Sequence, residues 1–231
     1  MKLTHTLMLL LSASCASTAP QDPIHNVLSA EQVENGWQLL FDGSSTDSWR
    51  NFRGSAEVRG WEARAGNLVC TGGGGDLITK ETYGSFILDL EWRIGPGGNS
   101  GIFFHVTEDH NAVWETGPEV QILDNEAHGL DPRALTAAGA NYALHAPQAD
   151  VVAPVGQFNR VRLIVIDDRV VHYLNGTRIV AYTLGSEDWR ALVQASKFGA
   201  MPDYGVAGEG HIALQDHGDE VRYRNIRILR L

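Results

Sequence analysis

The segment EVQILD, residues 119–124, has the residue types and spacing needed for acid–base chemistry. Side chains alternate along a strand, so Glu119 and Gln121 share one face while Val120 and Ile122 share the other. Asp124 follows at once, and three further polar residues come after it (Asn125, Glu126 and His128). A carboxylate and an amide on one strand face predict either a half-buried strand with a solvated side or a functional site.

Four other segments place similar polar groups opposite their apolar residues. These groups are Glu91 in FILDLEWR, Asn99 and His105 in NSGIFFHV, His145 in NYALH, and Gln215 with His217 in HIALQDH. Lysine, which is common on solvated sheet faces, is nearly absent from these positions. Amide and imidazole groups can both donate and accept, and carboxylates accept, so together they meet the needs of sugar hydroxyls. The pattern favours one shared carbohydrate site over an ordinary solvated face, with Trp114 as an exposed stacking partner and Lys197 on a loop over the site.

Other chemistries have weaker support. His105 and His145 lack the H-x-H or HExxH spacing of metal ligands, although a divalent metal ion stays open as a cofactor. The cluster from Asp124 to His128 could hold calcium, but loop aspartates and asparagines usually form turns. No GxSxG nucleophile elbow is present. The TGGGG run at 71–75 lacks the Gly-Lys-Ser/Thr of a phosphate loop. No cofactor is therefore predicted.

Composition favours a β protein that works on a neutral or cationic small partner. The chain has 231 residues, of which 43% are hydrophobic and 25 are glycine, and its formal net charge is -10. This length suits one large domain with a sizeable core. The net charge argues against nucleic acid and against anionic membrane surfaces as partners.

The pattern predicts an all-β fold of two antiparallel sheets packed face to face, a jelly-roll sandwich. Strand character is found at 37–41, 61–70, 85–94, 100–106, 119–124, 141–146, 158–166, 169–174, 177–184, 211–217 and 220–231. Tight hairpins are expected at Asn175-Gly176, Asp167-Asp168 and Gly218-Asp219. One helix near 187–198, capped by Ser186, interrupts the strands. The absence of βαβ alternation disfavours a parallel sheet.

The first 35 residues predict export. Residues 1–19 have a short apolar run and a small-residue cleavage zone typical of a signal peptide. Cys15 lies where a bacterial lipoprotein carries its lipid, so lipid attachment and plain cleavage near Ala16 or Ala19 both stay open. Residues 20–35 are expected to be a tether with a short helical turn near 29–34, and 36–231 the domain. Cys70 is then left without a disulfide partner.

The motifs LLFDG, NSGIFFHV, GPEVQILDNEAHG and GHIALQDHG occur together between about Gly36 and Leu231. In this combination the chain resembles the bacterial 3-keto-disaccharide hydrolase domain family. The resemblance implies a concanavalin A-like jelly roll with its ligand on the concave sheet. It also implies a secreted or periplasmic enzyme acting on sugars already oxidised at C3, with a separate sugar 3-dehydrogenase upstream. Hydrolase, lyase and hydratase activities all occur among the members.

A ketone at C3 acidifies the C2 hydrogen, so such a glycoside can lose its aglycone by elimination across C1 and C2. That route needs a base, donors for the enolate and an acid for the leaving oxygen. We expect His217 as the base and Glu119 as the acid, with Asp124 and His145 as second choices. Three of the remaining polar groups would orient the sugar hydroxyls and the enolate (Gln121, Gln215 and His105). Two would complete the floor of the binding site (Glu91 and Asn99).

Two other functions stay open. The same face could belong to a non-catalytic carbohydrate-binding domain. It could also belong to a conventional endo-glucanase, since laminarinase-type enzymes carry Glu-x-Asp-x-x-Glu on such a strand. Here the corresponding residues are Glu119, Gln121 and Asp124, and the amide in the middle disfavours a retaining mechanism with two carboxylates.

Overall fold

The computed structural model describes residues 25–54 and 57–231, which fold into short strands with two α-helices. The helices are α1 (Ala30–Glu34) and α2 (Glu187–Ala195). In chain order the strands are β1 (Gln38–Leu39), β2 (Trp49–Asn51), β3 (Trp61–Arg64), β4 (Asn67–Cys70), β5 (Leu77–Thr79), β6 (Phe86–Ile94), β7 (Asn99–Val106), β8 (Glu119–Leu123), β9 (Asn159–Ile166), β10 (Arg169–Leu174), β11 (Thr177–Thr183), β12 (His211–Leu214) and β13 (Val221–Arg230).

These strands form two antiparallel sheets, which confirms the predicted two-sheet jelly-roll class. The larger sheet has the order β11-β10-β9-β6-β13-β4-β3, with β1 also paired to β13. The smaller sheet has the order β2-β5-β12-β7-β8. Alternate residues of both sheets, such as Leu88 and Leu90 of β6 and Ile102 and Phe104 of β7, meet in one buried core. Cys70 lies in that core as a free thiol, and burial raises its pKa to about 12.

Several local predictions are confirmed. Asn175 and Asp167 both adopt positive φ angles, of 50°, at the tight turns that join β10 to β11 and β9 to β10. Ser186 caps α2 by accepting a hydrogen bond from the backbone nitrogen of Trp189 at 3.1 Å. A 3₁₀ helix at Lys197–Ala200 follows α2 directly, so the predicted single helix is two short ones. The helical turn near the N-terminus is α1, capped by Ser29.

Three predictions are wrong. The segment 61–70 is not one strand but the hairpin β3–β4, because Ala65 and Gly66 both have positive φ angles. The segment 141–146 is a series of turns, in which Ala143 has a φ of 61° and only isolated bridges form. Gly218-Asp219 does not close a hairpin, since β12 and β13 belong to different sheets and the turn crosses between them.

The chain is already bound to the domain at Asn26, before α1 begins. Asn26 is buried, and its backbone nitrogen donates to Asn225 Oδ1 at 2.7 Å while its side chain donates to the Gly66 carbonyl at 2.8 Å. The predicted signal peptide at 1–19 and Cys15 lie outside the described residues. Within 25–54 and 57–231 no helix has the length and apolar character to cross a membrane.

Candidate active site

The candidate site lies on the face of the smaller sheet that points away from the larger one. In β7 and β8, Ile102 and Val120 pack into the shared core, and the neighbouring positions point outward. Gly101 pairs with Gln121 on that outward face, and Phe103 pairs with Glu119. The alternation predicted from the sequence for β8 is therefore confirmed.

Half of this outward face is apolar. Phe103 belongs to a second buried cluster with Ile78, Val106, Val113 and Ala213. The 3₁₀ helix Val113–Glu115 covers the cluster and then turns Trp114 toward solvent, where it is 41% exposed. The cluster forms a dry floor beside the polar residues, which lowers the local dielectric and strengthens electrostatic effects there.

The polar half forms a cavity of about 210 Å³. Seven of its lining residues were predicted as site residues from the sequence, and Tyr142 was not. The lining residues are Asn99, Trp114, Glu119, Gln121, Tyr142, Lys197, Gln215 and His217. The same cavity is therefore lined by Glu119 and His217, although almost 100 residues separate them in the chain. We expected these two residues to act together.

Glu119 is a buried carboxyl group with a strongly perturbed proton affinity. Its side chain is 6% exposed, and burial raises its pKa to about 8, with a smaller contribution from Asp76. The positive charge of Lys197 acts in the opposite direction. A carboxyl group with this pKa is mostly protonated at neutral pH and can therefore donate a proton.

Gln121 fixes the position of this carboxyl group. With its amide nitrogen turned toward Glu119, Gln121 donates to Glu119 Oε1 at 3.0 Å and to the backbone carbonyl of Ser100 at 3.0 Å. The segment after β12 is joined to β7 at the same level, because the backbone nitrogen of Gln215 donates to the Gly101 carbonyl at 3.0 Å. The amide in the middle of the Glu-x-Gln pattern thus acts as a hydrogen-bond donor to the acid, a role that a carboxylate could not fill when charged.

His217 lies on a loop that Asp216 holds in place. Asp216 Oδ2 accepts from the backbone nitrogens of Gly74 and Gly75, each at 3.0 Å, and its Oδ1 accepts from Gly218 at 3.0 Å. The glycine run at 71–75 is therefore tied to the loop that carries His217. The TGGGG segment serves the site through its backbone amides, not as a phosphate loop.

Asp76 lies behind this loop and was not identified from the sequence. Its Oδ1 accepts from the backbone nitrogen of Asp216 at 3.0 Å. Burial raises the pKa of Asp76 to about 6 despite that hydrogen bond; the charge of Asp216 adds to the rise and His217 opposes it. Asp76 also acts on Glu119, so the buried Glu119, the half-buried Asp76 and His217 interact electrostatically.

Lys197 and Tyr142 form the opposite wall. Lys197 Nζ lies 4.3 Å from the centroid of the Tyr142 ring and 5.1 Å from that of Phe198, both within cation–π range. Burial raises the pKa of the Tyr142 hydroxyl, and the charge of Glu119 adds to this effect. Tyr142 was expected in the core because 141–146 was predicted as a strand, and the turn there directs it into the cavity instead.

A column of stacked rings supports the segment that carries Lys197. Tyr182 stacks on Trp189 at 5.3 Å between centroids, Trp189 on Tyr204 at 5.9 Å, and Tyr204 on Phe198 at 3.9 Å. All three pairs are within 14° of parallel. Since Phe198 follows Lys197 directly, the column sets the position of the lysine backbone relative to the cavity.

Two of the predicted carboxylates do not reach the cavity. Asp124 lines a different cleft, of about 390 Å³, and its oxygens accept from the backbone nitrogens of Gly97 at 2.8 Å and Ala127 at 3.2 Å. It therefore acts as a turn former. Glu91 belongs to β6 in the other sheet, and its outward side chain accepts from Arg224 Nε at 2.7 Å. The assumption that all five segments share one face fails for β6.

Two of the predicted histidines also lie elsewhere. His105 has a φ of 53° at a bulge that reverses the alternation of β7, so its ring packs 5.1 Å from Phe104 and its Nε2 donates to the Gly84 carbonyl at 2.8 Å. His145 stacks on Tyr182 at 4.7 Å. Burial lowers the pKa of both rings. The described residues contain no group of three or more His, Cys, Asp or Glu that could hold a metal ion.

A family profile described as "3-keto-alpha-glucoside-1,2-lyase-like domain" matches residues 36–229. The chain belongs to this family. The 3-keto-disaccharide hydrolase of Bacteroides thetaiotaomicron is 32% identical over 229 residues, a match that covers 84% of this chain and 78% of that protein. Membership in this family confirms the resemblance drawn from the motifs.

Solved structures agree with the fold. A crystal structure from Parabacteroides distasonis, assigned provisionally to the glycosyl hydrolases, is 33% identical and has a TM-score of 0.82, covering 90% of this chain and all of that one. A second protein of the same organism, with the same provisional assignment, is 23% identical and has a TM-score of 0.65. The match covers 84% of this chain and 99% of that one. At this identity it shows the fold alone. Together with the family and the Bacteroides thetaiotaomicron relative, the structure at 33% identity supports a glycoside hydrolase function.

Proposed function

We propose that the chain cleaves 3-keto-glycosides, including 3-keto-disaccharides, by elimination across C1 and C2 followed by addition of water. The observation that carries this proposal is the position of Glu119, a buried carboxyl group whose pKa burial raises to about 8, beside His217 in one polar cavity. Larger cavities exist, such as one of about 520 Å³ beside α2, but most of its lining is apolar or glycine and its imidazole, His105, is bound to the Gly84 carbonyl.

The steps assign one proton to each group. His217 removes the C2 proton, and the electron pair of that C–H bond moves to form an enolate at C2, C3 and O3. The enolate then expels the oxygen at C1, which takes a proton from Glu119, leaving a C1–C2 double bond beside the C3 ketone. Glu119 then takes a proton from water as the hydroxyl adds to C1, and His217, whose proton exchanges with solvent, protonates C2, so both groups are restored and the net reaction is hydrolysis.

The other lining residues suit binding and charge stabilisation. Lys197 supplies the positive charge that a developing enolate needs. Asn99 and Gln215 offer amide groups to sugar hydroxyls, and Trp114 and Tyr142 offer ring faces to sugar carbons. The cavity of about 210 Å³ is small, which matches recognition of the single ring that reacts while the leaving sugar extends toward solvent past Trp114.

The decisive experiment follows a 3-keto-disaccharide in D₂O by NMR and mass spectrometry. Elimination and hydration place deuterium at C2 of the released 3-keto sugar, whereas direct hydrolysis leaves C2 hydrogen in place. A reaction without enzyme measures spontaneous exchange. Cleavage with no enzyme-dependent deuterium at C2 would rule out the elimination route.

Variants separate the two proposed roles. Glu119→Gln should still exchange the C2 hydrogen but cleave poorly, because the base remains and the acid is gone. It should regain cleavage with a 4-nitrophenyl leaving group, which needs no proton. His217→Ala should lose both exchange and cleavage. If His217→Ala retains exchange, the base is another residue.

The same assays address the alternatives. A carbohydrate-binding domain would bind glycans in calorimetry with no product formed. An endo-glucanase would release reducing ends from unoxidised β-glucan. Since the substrate must already carry a C3 ketone, a separate sugar 3-dehydrogenase would act upstream.

Export to the periplasm or the cell exterior is part of the proposal. It rests on the leader-like sequence of residues 1–19, which lie outside the described structure. Mass spectrometry of the protein isolated from cells would show cleavage before Cys15 with a lipid attached, or cleavage near Ala16 or Ala19 without one.

A further inference from the structure

The outward face of the larger sheet, here called the arginine face, concentrates positive charge. Outward positions of its strands carry half of the 18 basic residues of the chain, and the described acidic residues that pair with them are Glu62, Asp89, Glu91 and, just before β13, Glu220. The net charge of -10 is therefore unevenly distributed, with positive charge concentrated on the arginine face. The basic residues are Arg64, Arg93, Arg160, Arg162, Arg169, Arg178, Arg222, Arg224 and Arg227.

One buried carboxylate organises the centre of this face. Asp89 accepts from Arg160 Nε at 2.7 Å and Arg162 Nη2 at 2.8 Å, and Arg227 Nη2 lies at 3.5 Å. Burial acts to raise the pKa of Asp89, but the hydrogen bonds from Arg160 and Arg162 outweigh it and keep the pKa below its ordinary value. Three guanidinium groups around one carboxylate leave a net positive charge and a surplus of N–H donors.

A shallow depression of about 280 Å³ opens beside this cluster. It is lined by Arg160, Arg162, Ile164, Tyr173 and Gly176. The side chains of Arg160 and Arg162 are 47% and 43% exposed, so they remain accessible while bound to Asp89. Tyr173 lies between Arg162 and Arg178 in the strand register. Paired guanidinium groups match the geometry of phosphate oxygens.

The N-terminal part of the chain joins the domain on the same face. Asn225 Nδ2 donates to Glu91 Oε1 at 3.0 Å, and its backbone nitrogen donates to Asn26 Oδ1 at 2.8 Å. His25 and Asn26 therefore lie beside the Glu91–Arg224 ion pair.

We propose that the arginine face docks on an anionic phospholipid surface, with lipid phosphates bound at the Arg160–Arg162 depression and the Glu119 cavity turned away from the membrane. Basic residues near an anionic bilayer each add a modest attraction, and several acting together bind the protein to the surface. The expectation from net charge, that anionic surfaces are avoided, is thereby revised for this face. The proposal does not depend on the reaction at Glu119.

The test uses the full chain with Cys15→Ser, so that no lipid can be attached, and measures co-sedimentation with vesicles. Vesicles of 70% phosphatidylcholine and 30% phosphatidylglycerol should bind the protein at low salt and release it at 0.5 M NaCl, and pure phosphatidylcholine should not bind it. Arg162→Gln with Arg178→Gln should weaken binding by about fivefold for each arginine removed. Every variant keeps the same N-terminal residues, so any contribution of those residues to vesicle binding cancels when the variants are compared.

The matched control is Arg133→Gln with Arg190→Gln, which removes the same charge from exposed residues away from this face and should leave binding unchanged. If Arg162→Gln harms folding by loosening Asp89, the single change Arg178→Gln carries the test, since Arg178 is exposed. Equal loss in the control pair, binding insensitive to salt, or no binding to anionic vesicles would overturn the proposal. Calorimetric binding of inorganic phosphate without any binding to anionic vesicles would show a free-phosphate site instead and would also overturn it.

Discussion

The Glu119 carboxyl group lies directly against the Cα of Gly101 on the neighbouring strand. A Cβ atom at position 101 would come within 2.3 Å of Glu119 Oε1 and 3.0 Å of its Cδ. The φ angle of Gly101 is not in the left-handed region, so the backbone itself would accept another residue. The glycine is required because the acid occupies the space that a side chain would fill.

We predict that Gly101→Ala moves the carboxyl group and lowers kcat by roughly 100-fold, the loss expected for a displacement of about 1 Å in a catalytic group. The fold should survive, because the closest clash is with the flexible end of Glu119, and the Phe103 ring, with Cε2 at 3.0 Å, needs to move only by a few tenths of an ångström. Thermal unfolding and steady-state kinetics on a 3-keto-disaccharide give the two readings. The matched control is Gly95→Ala, since a Cβ there meets nothing within 4 Å. Equal losses in both variants would contradict the steric explanation.

The pH profile should report the proton on Glu119. Burial holds the pKa of this group near 8, so the acid form dominates below that value and disappears above it. We expect kcat to fall about tenfold per pH unit above pH 8, with one proton lost. In Glu119→Gln, with a 4-nitrophenyl leaving group, this decline should be absent. A decline that persists in that variant would assign it to another group.

Glu119 should also make the protein less stable as the pH rises. The folded pKa of about 8 lies above the ordinary value of 4.5, so between these values the folded state holds a proton that the unfolded state releases. The stabilising contribution is complete below pH 4.5 and is lost progressively up to pH 8. A difference of one in pKa between the folded and unfolded states corresponds to about 1.4 kcal/mol, so Glu119→Gln should raise the free energy of unfolding at pH 9 by a few kcal/mol and at pH 4 by almost nothing. Urea unfolding at the two pH values measures the difference, and an equal change at both would contradict it.

Lys197 should affect both the rate and the pH profile. Its charge lowers the pKa of Glu119, so Lys197→Met should move the alkaline decline of kcat to higher pH. Activity at pH 7 should fall as well, because the enolate loses a nearby cation, by roughly 10- to 1,000-fold. Lys80→Met removes an exposed lysine elsewhere and should change neither quantity. A decline that shifts to lower pH would contradict the direction of this coupling.

The sequence predicted the fold well where alternation and turn chemistry are local. Asn175-Gly176 and Ser186 determine their turn and cap through their own side chains and backbone preferences, so no tertiary information was needed. Gly218-Asp219 could not be interpreted in this way. A glycine turn has the same appearance whether it joins two strands of one sheet or passes between sheets, and only the partners of β12 and β13 decide.

The candidate site was predicted only in part, because strand alternation indicates the face of a residue but not the sheet that its strand joins. Glu119 and Gln121 follow from period two within β8. The bulge at His105 reversed the face of a residue that alternation had placed outward, and Glu91 was assigned to the wrong surface because strand alternation does not reveal which sheet a strand joins. Tyr142 and Asp76 reach the site through turns, where no periodic pattern exists.

Asp216 should position His217 through the backbone of its loop. Its carboxylate accepts three backbone hydrogen bonds that join the glycine run to the turn after β12. Asp216→Ala should therefore reduce C2 exchange by about tenfold or more and lower the free energy of unfolding by about 1–3 kcal/mol, as expected when hydrogen bonds to a charged group are removed. Asp216→Asn keeps one acceptor oxygen and should recover part of both losses. Asp47→Ala, at an exposed aspartate, is the control. If Asp216→Ala loses stability but exchanges C2 hydrogen at the full rate, His217 does not need this loop geometry, and its assignment as the base would have to rest on His217→Ala alone.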